Sequence, residues 1–253
     1  MSSSKDFTAN PSNGAFSLSP QSGETSPLSF RASEASREIL PGKSESDFTA
    51  SLYASVAERA LPLLEERLDE YGFLHSRKAA QCARELACIY QVDGEEAALA
   101  GLLHDWDRGQ PKDYLIETAA QIGIEITPEV IAAPQILHAH TGAAHVAELF
   151  PELPPEVIIA IRHHTVGDEN MADLDKVLYV ADMIEPTRSS PAVFSLREMA
   201  GTVDLHTLFL QAYQATMQHL IHNRKVMHPR TTEVWNALMM KGNLNLEHQH
   251  ENK

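Results

Sequence analysis

The stretch Ala97–Asp105 (AALAGLLHD) restricts the fold of this 253-residue chain more than any other. Small and apolar residues at helical spacing run without interruption into His104 and Asp105. Two polar groups at the end of a buried apolar helix are costly unless they are paired or ligate something. The same pattern recurs further along. His138 follows Ile136-Leu137, His164 lies just past the apolar run VIIAI, and Asp182 sits inside KVLYVADMI. A fold that buries these apolar segments must also find partners for their polar ends.

The surrounding sequence reads as helical almost throughout. Leu, Ala and Val recur at three-four spacing from Ser46 to Tyr71, where Gly72 supplies a stop signal, and again from Ser76 to Tyr90. Asp93-Gly94-Glu95-Glu96 has the form of a capping box opening the helix that ends at His104. Pro111 and Gly123 bracket another helix, and residues 172–184, 203–224 and 231–240 form three more, the last capped by Thr231 or Thr232. No alternating strand pattern or internal repeat is visible. The expectation is a single all-α domain over residues 46–240. Residues 1–45, rich in Ser, Pro, Gly and Asn without a period, read as a disordered N-terminal extension, and residues 241–253 as a flexible C-terminal tail.

Composition excludes several classes. Aromatic residues make up only 6% of the chain, which favours helix over sheet. A net charge of −15 argues against a general nucleic-acid binder, although metals and a few Arg side chains can still make one site positive. No stretch has the ~20 apolar residues of a membrane helix, and the N-terminus lacks the apolar core of a secretory signal. Cys82 and Cys88 lie six apart on one expected helix, face different ways, and read as small buried residues in a reducing compartment. A cytoplasmic protein is expected.

Seven of the 13 histidines fall between residues 75 and 164. A single His near an apolar face is usually a hydrogen-bonded core residue, and a single helical Asp a solvated one. Six ligand types bordering apolar helices are harder to explain as independent accidents. His75, His104, Asp105, His138, His164 and Asp182 could together hold two divalent ions. Two metals a few ångströms apart form a site for hydrolysing phosphate esters or anhydrides.

The order H…HD…H…H…D, together with AGLLHDWDRGQP, LHAHTGA, AIRHHTVG and KVLYVADMIEPTR, resembles the HD-domain superfamily of metal-dependent phosphohydrolases. More narrowly, residues of about 65–240 resemble its YqeK group of symmetrical bis(5′-nucleosyl)-tetraphosphatases. The resemblance implies an all-helical bundle and makes the six residues just named the metal ligands. Asp105 would bridge the ions, His75, His104 and Asp182 would complete one, and His138 and His164 would hold the other. His163 falls where the family often has an aromatic residue and is set aside; His140 and His145 have no matching role. The family usually reads HDxxK, whereas this chain has Arg108 in place of the Lys, a planar fork instead of a point charge. Asp107 beside it would trim the local positive potential.

The implied activity is cleavage of diadenosine tetraphosphate at its centre to two ADP, by attack of a metal-bound hydroxide on phosphorus. Asp105, Arg108 and Arg188 are the catalytic candidates; Arg108, Arg162, Thr165, Gly167 and Arg188 are the substrate-binding ones. Two divalent ions are implied, iron favoured, with manganese or cobalt suiting the same ligands. The expected partner is a dinucleoside polyphosphate or other nucleotide, with no nucleic acid and no membrane; a homodimer is left open. Rival readings are another nucleotide substrate, a di-iron oxygenase of the same superfamily, and a non-catalytic nucleotide-binding module. Trp106 and Tyr179 read as core aromatics rather than platforms for a base.

Overall fold

Eleven α-helices account for most of the residues 45–251 that the computed structural model describes, and no strand occurs among them. Apart from Glu45, the expected N-terminal extension lies outside the described residues. The helices are α1 (Glu45–Arg67), α2 (Glu70–Tyr90), α3 (Gly94–Leu103), α4 (Lys112–Gln121), α5 (Pro128–Ala132), α6 (His138–Leu149), α7 (Pro155–His163), α8 (Asp173–Ile184), α9 (Pro191–Met199), α10 (Leu205–His222) and α11 (Pro229–Glu251), with a 3-10 turn at Pro134–Leu137 before α6. None is long and apolar enough to cross a membrane.

Helix α2 is the hub, packing on α3 along one side and α8 along another. Its contact with α3 is close because the facing residues are small. A Cβ on Gly101 would stand 2.8 Å from the backbone nitrogen and Cα of Ala80 and from the carbonyl oxygen of Ala79. Only glycine allows the two backbones this approach. The apolar run of the α3 sequence is buried along its length, from Ala97 to Leu103. Helix α7 packs on α3, α6 and α8, while α10 covers α8. Trp106, Tyr179, Phe209 and Tyr213 fill the main core; both Trp106 and Tyr179 are buried, so neither offers an open stacking platform for a base.

Helix boundaries were mostly legible, with two corrections. Gly72 does not stop the first helix. The break falls at residues 68–69, where the Asp69 carboxylate accepts the Gly72 N–H at 2.7 Å and starts α2. A short Asp side chain competing for backbone donors overrides the periodicity that runs across it. Helix α11 begins at Pro229, so Thr231 and Thr232 lie inside its first turn rather than capping it. Its backbone continues to Glu251, into the segment expected to be a tail. Asp93 caps α3 as expected, accepting from the N–H groups of Glu95 and Glu96. Both cysteines are free, but Cys82 is half-buried and Cys88 exposed, because residues six apart on a helix cannot share one core-facing stripe.

Candidate metal centre

Three of the candidate histidines stand at the same local place. His104 is the C-cap of α3, His164 the C-cap of α7, and His138 the C-cap of the 3-10 turn. The last carbonyls of a helix lack intrahelical partners. Each of these rings uses its Nδ1–H to donate to the carbonyl three residues back: His104 to Gly101 at 2.8 Å, His164 to Ile161 at 2.6 Å, and His138 to Gln135. His75, one turn into α2, donates Nδ1–H to Oε1 of the buried Glu185 at 3.0 Å. All four rings therefore turn Nε2 inward.

Those Nε2 atoms converge. His75 and His104 face each other at 3.2 Å, and His138 and His164 at 3.0 Å. Asp105 lies between the pairs: Oδ2 is 3.4 Å from His104 Nε2 and 3.6 Å from His75 Nε2, while Oδ1 is 3.0 Å from His138 Nε2 and 3.7 Å from His164 Nε2. Asp182 Oδ1 is 2.9 Å from His75 Nε2 and 3.7 Å from His104 Nε2. The six residues expected from the sequence thus form one cluster, and five of them are almost fully buried.

Two nitrogen lone pairs 3 Å apart repel unless a proton or a metal ion lies between them. Asp105 Oδ1 is buried with no hydrogen-bond donor. Left to protons alone, the cluster compensates as far as it can. Burial opposes a charge on His104, but Asp105 and Asp182 outweigh it and lift its pKa to about 10. Burial, with the neighbouring imidazoles of His104 and His138, outweighs the opposing pull of Asp105 and drives His164 down to about 4. Despite burial, the charge on His104 holds Asp105 well below the usual carboxylate range, and hydrogen bonds from His104 and His75 do the same for Asp182. His75, His104 and Asp182 form one compact ligand group and His104, Asp105 and His164 another, in a nitrogen–oxygen set suited to first-row transition metals. The residues fit divalent cations.

The cations around the cluster are held in different ways. Arg188 donates from Nη2 to Asp182 Oδ1 at 2.9 Å and from Nε to the Asp182 carbonyl at 3.3 Å. Arg197 fixes the segment that carries it by donating to the carbonyls of Ile184, Glu185 and Arg188. Arg108 is half-exposed, with Nη1 3.6 Å from Asp105 Oδ1. Asp107 does not lower the potential of the site as expected. Its fully buried carboxylate is turned away and pairs with Arg67 and His145, so its charge is compensated inside the fold. That contact also gives His145 its role. His163 is turned toward Asp175, 2.8 Å from Nδ1, and is no part of the cluster.

Two clefts open from the centre. The first, of about 390 Å³, reaches it at His75 and Asp105 and is walled by Arg67, Tyr71, Arg108 and Arg188. The second, of about 860 Å³, reaches it at His164 and Asp182, runs beside Thr165 and Ser189, and is also walled by Arg108 and Arg188. Of the other expected substrate residues, Arg162 is exposed on α7 and Gly167 packs on Tyr213 and Met171 with φ +81°; neither lines these clefts. Glu185, Arg67 and Tyr71 were not singled out from the sequence. Glu185 was within reach, standing in the IEPTR segment next to an expected cation.

An all-helical domain built around a buried histidine–aspartate cluster suited to divalent cations is the class that fold and site define. An HD domain model matches residues 72–187. A Bacillus subtilis protein named symmetrical bis(5′-nucleosyl)-tetraphosphatase is 32% identical over 184 residues, 72% of this chain and 97% of its own length. A protein of the same name from Halalkalibacterium halodurans is 30% identical over 187 residues, again 72% and 97% of the two chains. The crystal structure of a Clostridium acetobutylicum protein, described as a predicted HD superfamily hydrolase involved in NAD metabolism, matches with a TM-score of 0.68 at 32% identity, covering 73% of this chain and 97% of that one. The chain belongs to the HD-domain family.

Proposed function

We propose that this protein is a metal-dependent phosphoric anhydride hydrolase that cleaves diadenosine tetraphosphate symmetrically to two ADP. The observation that carries this reading is the pair of clefts, which meet at Arg108 and Arg188 and reach the ligand cluster from different sides. A two-ended substrate with a polyanionic middle matches that shape, one nucleoside diphosphate arm in each cleft and the central anhydride at the centre. The relatives named tetraphosphatases, with nearly their whole length matched, support the same substrate.

Asp105 would bridge two divalent ions, with His75, His104 and Asp182 completing one and His138 and His164 the other; iron is favoured, and manganese or cobalt suit the same donors. Such ions, when bound, acidify water and draw charge from phosphate oxygens. The chain's own residues do the rest. Arg108 and Arg188 stand where both arms pass, so they orient the polyphosphate and neutralise charge that builds on the departing diphosphate. Asp105 and Asp182 stay ionised, which makes them poor proton donors, and the leaving group departs as an anion held by the two guanidiniums. Thr165 shapes the wall of the second cleft beside His164. The acidic surface and unpaired cysteines fit a cytoplasmic enzyme of small nucleotides with no nucleic-acid partner.

The test is product analysis with diadenosine tetraphosphate, on metal-analysed protein beside EDTA-treated protein and Asp105→Ala. ADP as the sole early product, lost in both controls, is the expected result. AMP with ATP would move the cleavage position, and no turnover by metal-loaded protein would overturn the substrate. An oxygen requirement would point to oxidative chemistry instead.

A further inference from the structure

A third cleft, of about 470 Å³, is lined by Lys112, Lys225, His219 and His228 and by no Asp or Glu. This is unusual in a chain with 35 acidic against 20 Lys and Arg residues. Neither lysine forms an ion pair among the described residues, whereas the half-buried Lys176 is paired with Asp173 at 2.8 Å. Lys225 has a fixed base: its N–H donates to the Leu220 carbonyl at 2.9 Å, in a turn where Arg224 adopts φ +51°. The Arg230 N–H occupies His228 Nδ1, and Asn223 contacts His219 Nδ1. Glu129 and Glu233 act on His228 from outside the cleft.

The cleft is not isolated. Thr165, Tyr179, Thr216, His219 and Leu220 line both it and the second cleft, which reaches the metal ligands His164 and Asp182. A base and an unmodified ribose carry no charge, so cations there gain nothing from an ordinary nucleoside arm. They would gain from a phosphate placed beyond it.

We propose that Lys112 and Lys225, with His219 and His228, form a binding site for a phosphate group, carried on the ribose of a nucleotide whose arm occupies the second cleft. The assignment to a ribose-linked phosphate rests on the reading of that cleft as a nucleotide site. Free inorganic phosphate offers the same chemistry, and the test separates the two. Inhibition of diadenosine tetraphosphate turnover is measured with AMP, adenosine 2′,5′-bisphosphate, adenosine 3′,5′-bisphosphate and inorganic phosphate, for the wild type and for the Lys112→Gln/Lys225→Gln double variant.

The expected result is that one bisphosphate inhibits the wild type about tenfold more tightly than AMP, as a charge-assisted contact provides. The double variant should lose that ratio while its kcat/KM stays within about twofold. Bisphosphates no better than AMP, with phosphate inhibiting the wild type alone, would overturn the ribose linkage and leave a site for the free anion. Identical inhibition of both proteins by every probe would overturn the site. If metal-loaded wild type fails to turn over diadenosine tetraphosphate, the functional reading falls separately. Calorimetric titration with the same probes then decides the site, upheld by binding that the double variant loses and overturned by binding that it keeps.

Discussion

His75 Nδ1 lies 3.0 Å from Oε1 of Glu185, a carboxylate 110 positions further along the chain and fully buried. Glu185 is itself fixed, because its other oxygen accepts the Thr187 N–H at 2.7 Å and the Thr187 hydroxyl donates to Oε1. The arrangement sets the tautomer of His75 and makes its Nε2 a better ligand. Glu185→Gln keeps the shape and removes the charge. It should weaken metal binding by ~10–100-fold, the usual effect of losing such a partner. Metal titration monitored by activity would show the loss, with turnover recovering at high metal concentration; an unchanged titration midpoint would remove Glu185 from this role.

Arg188 touches Asp182, a proposed metal ligand, and also stands where both clefts meet. Its contact with Asp182 holds the guanidinium ready when no phosphate is present. Arg188→Ala should leave the metal content intact and lower kcat/KM by ~10²-fold, the scale for removing one donor to a developing charge. Arg188→Lys should recover part of it, since a point charge replaces a fork. Loss of metal in the alanine variant would make Arg188 a support for Asp182 instead.

Gly101 decides how near α3 comes to α2, and its carbonyl also anchors His104. Alanine is the better helix former by ~1 kcal/mol, which would favour Gly101→Ala if space allowed. The added methyl would instead meet backbone atoms at 2.8 Å that cannot rotate away. Overpacking of this kind costs ~1–3 kcal/mol and exceeds the propensity gain. A lowered midpoint in chemical denaturation, with weaker metal binding as His104 shifts, is expected; equal or greater stability would show that the helices part easily.

How far the sequence could be read follows from what each residue does. Polar residues ending apolar runs, as His104, His138 and His164 do, carry their cost visibly in one dimension. Asp182, inside an apolar helix, does the same. Their meeting in one cluster depends on helix packing, which the family resemblance implied and periodicity alone did not. Glu185 was harder to find, because beside Pro186 and Arg188 it reads as a surface residue until the fold sets it under His75. Asp107 was misjudged from its neighbour Arg108; Arg67, 40 positions away, neutralises it. Gly72 misled because a glycine in a first turn and one at a C-cap look alike without the Asp69 contact.

The cluster should also leave a mark on stability once metal is removed. His164, with a pKa near 4 in the fold against about 6.5 in an unfolded chain, binds fewer protons folded than unfolded across that interval. Stability from this group therefore rises with pH up to about 6.5. His104 behaves oppositely. With its folded value near 10, its contribution is complete below about 6.5 and is lost as pH climbs toward 10. Metal-depleted protein should be most stable near neutrality and lose midpoint temperature in both directions. A metal held by these rings would compete with that proton, so loaded protein should lack the alkaline decline. Thermal melts from pH 5 to 9.5, with and without EDTA, would test this. An alkaline decline of equal size in both samples would show that the cluster holds no such proton.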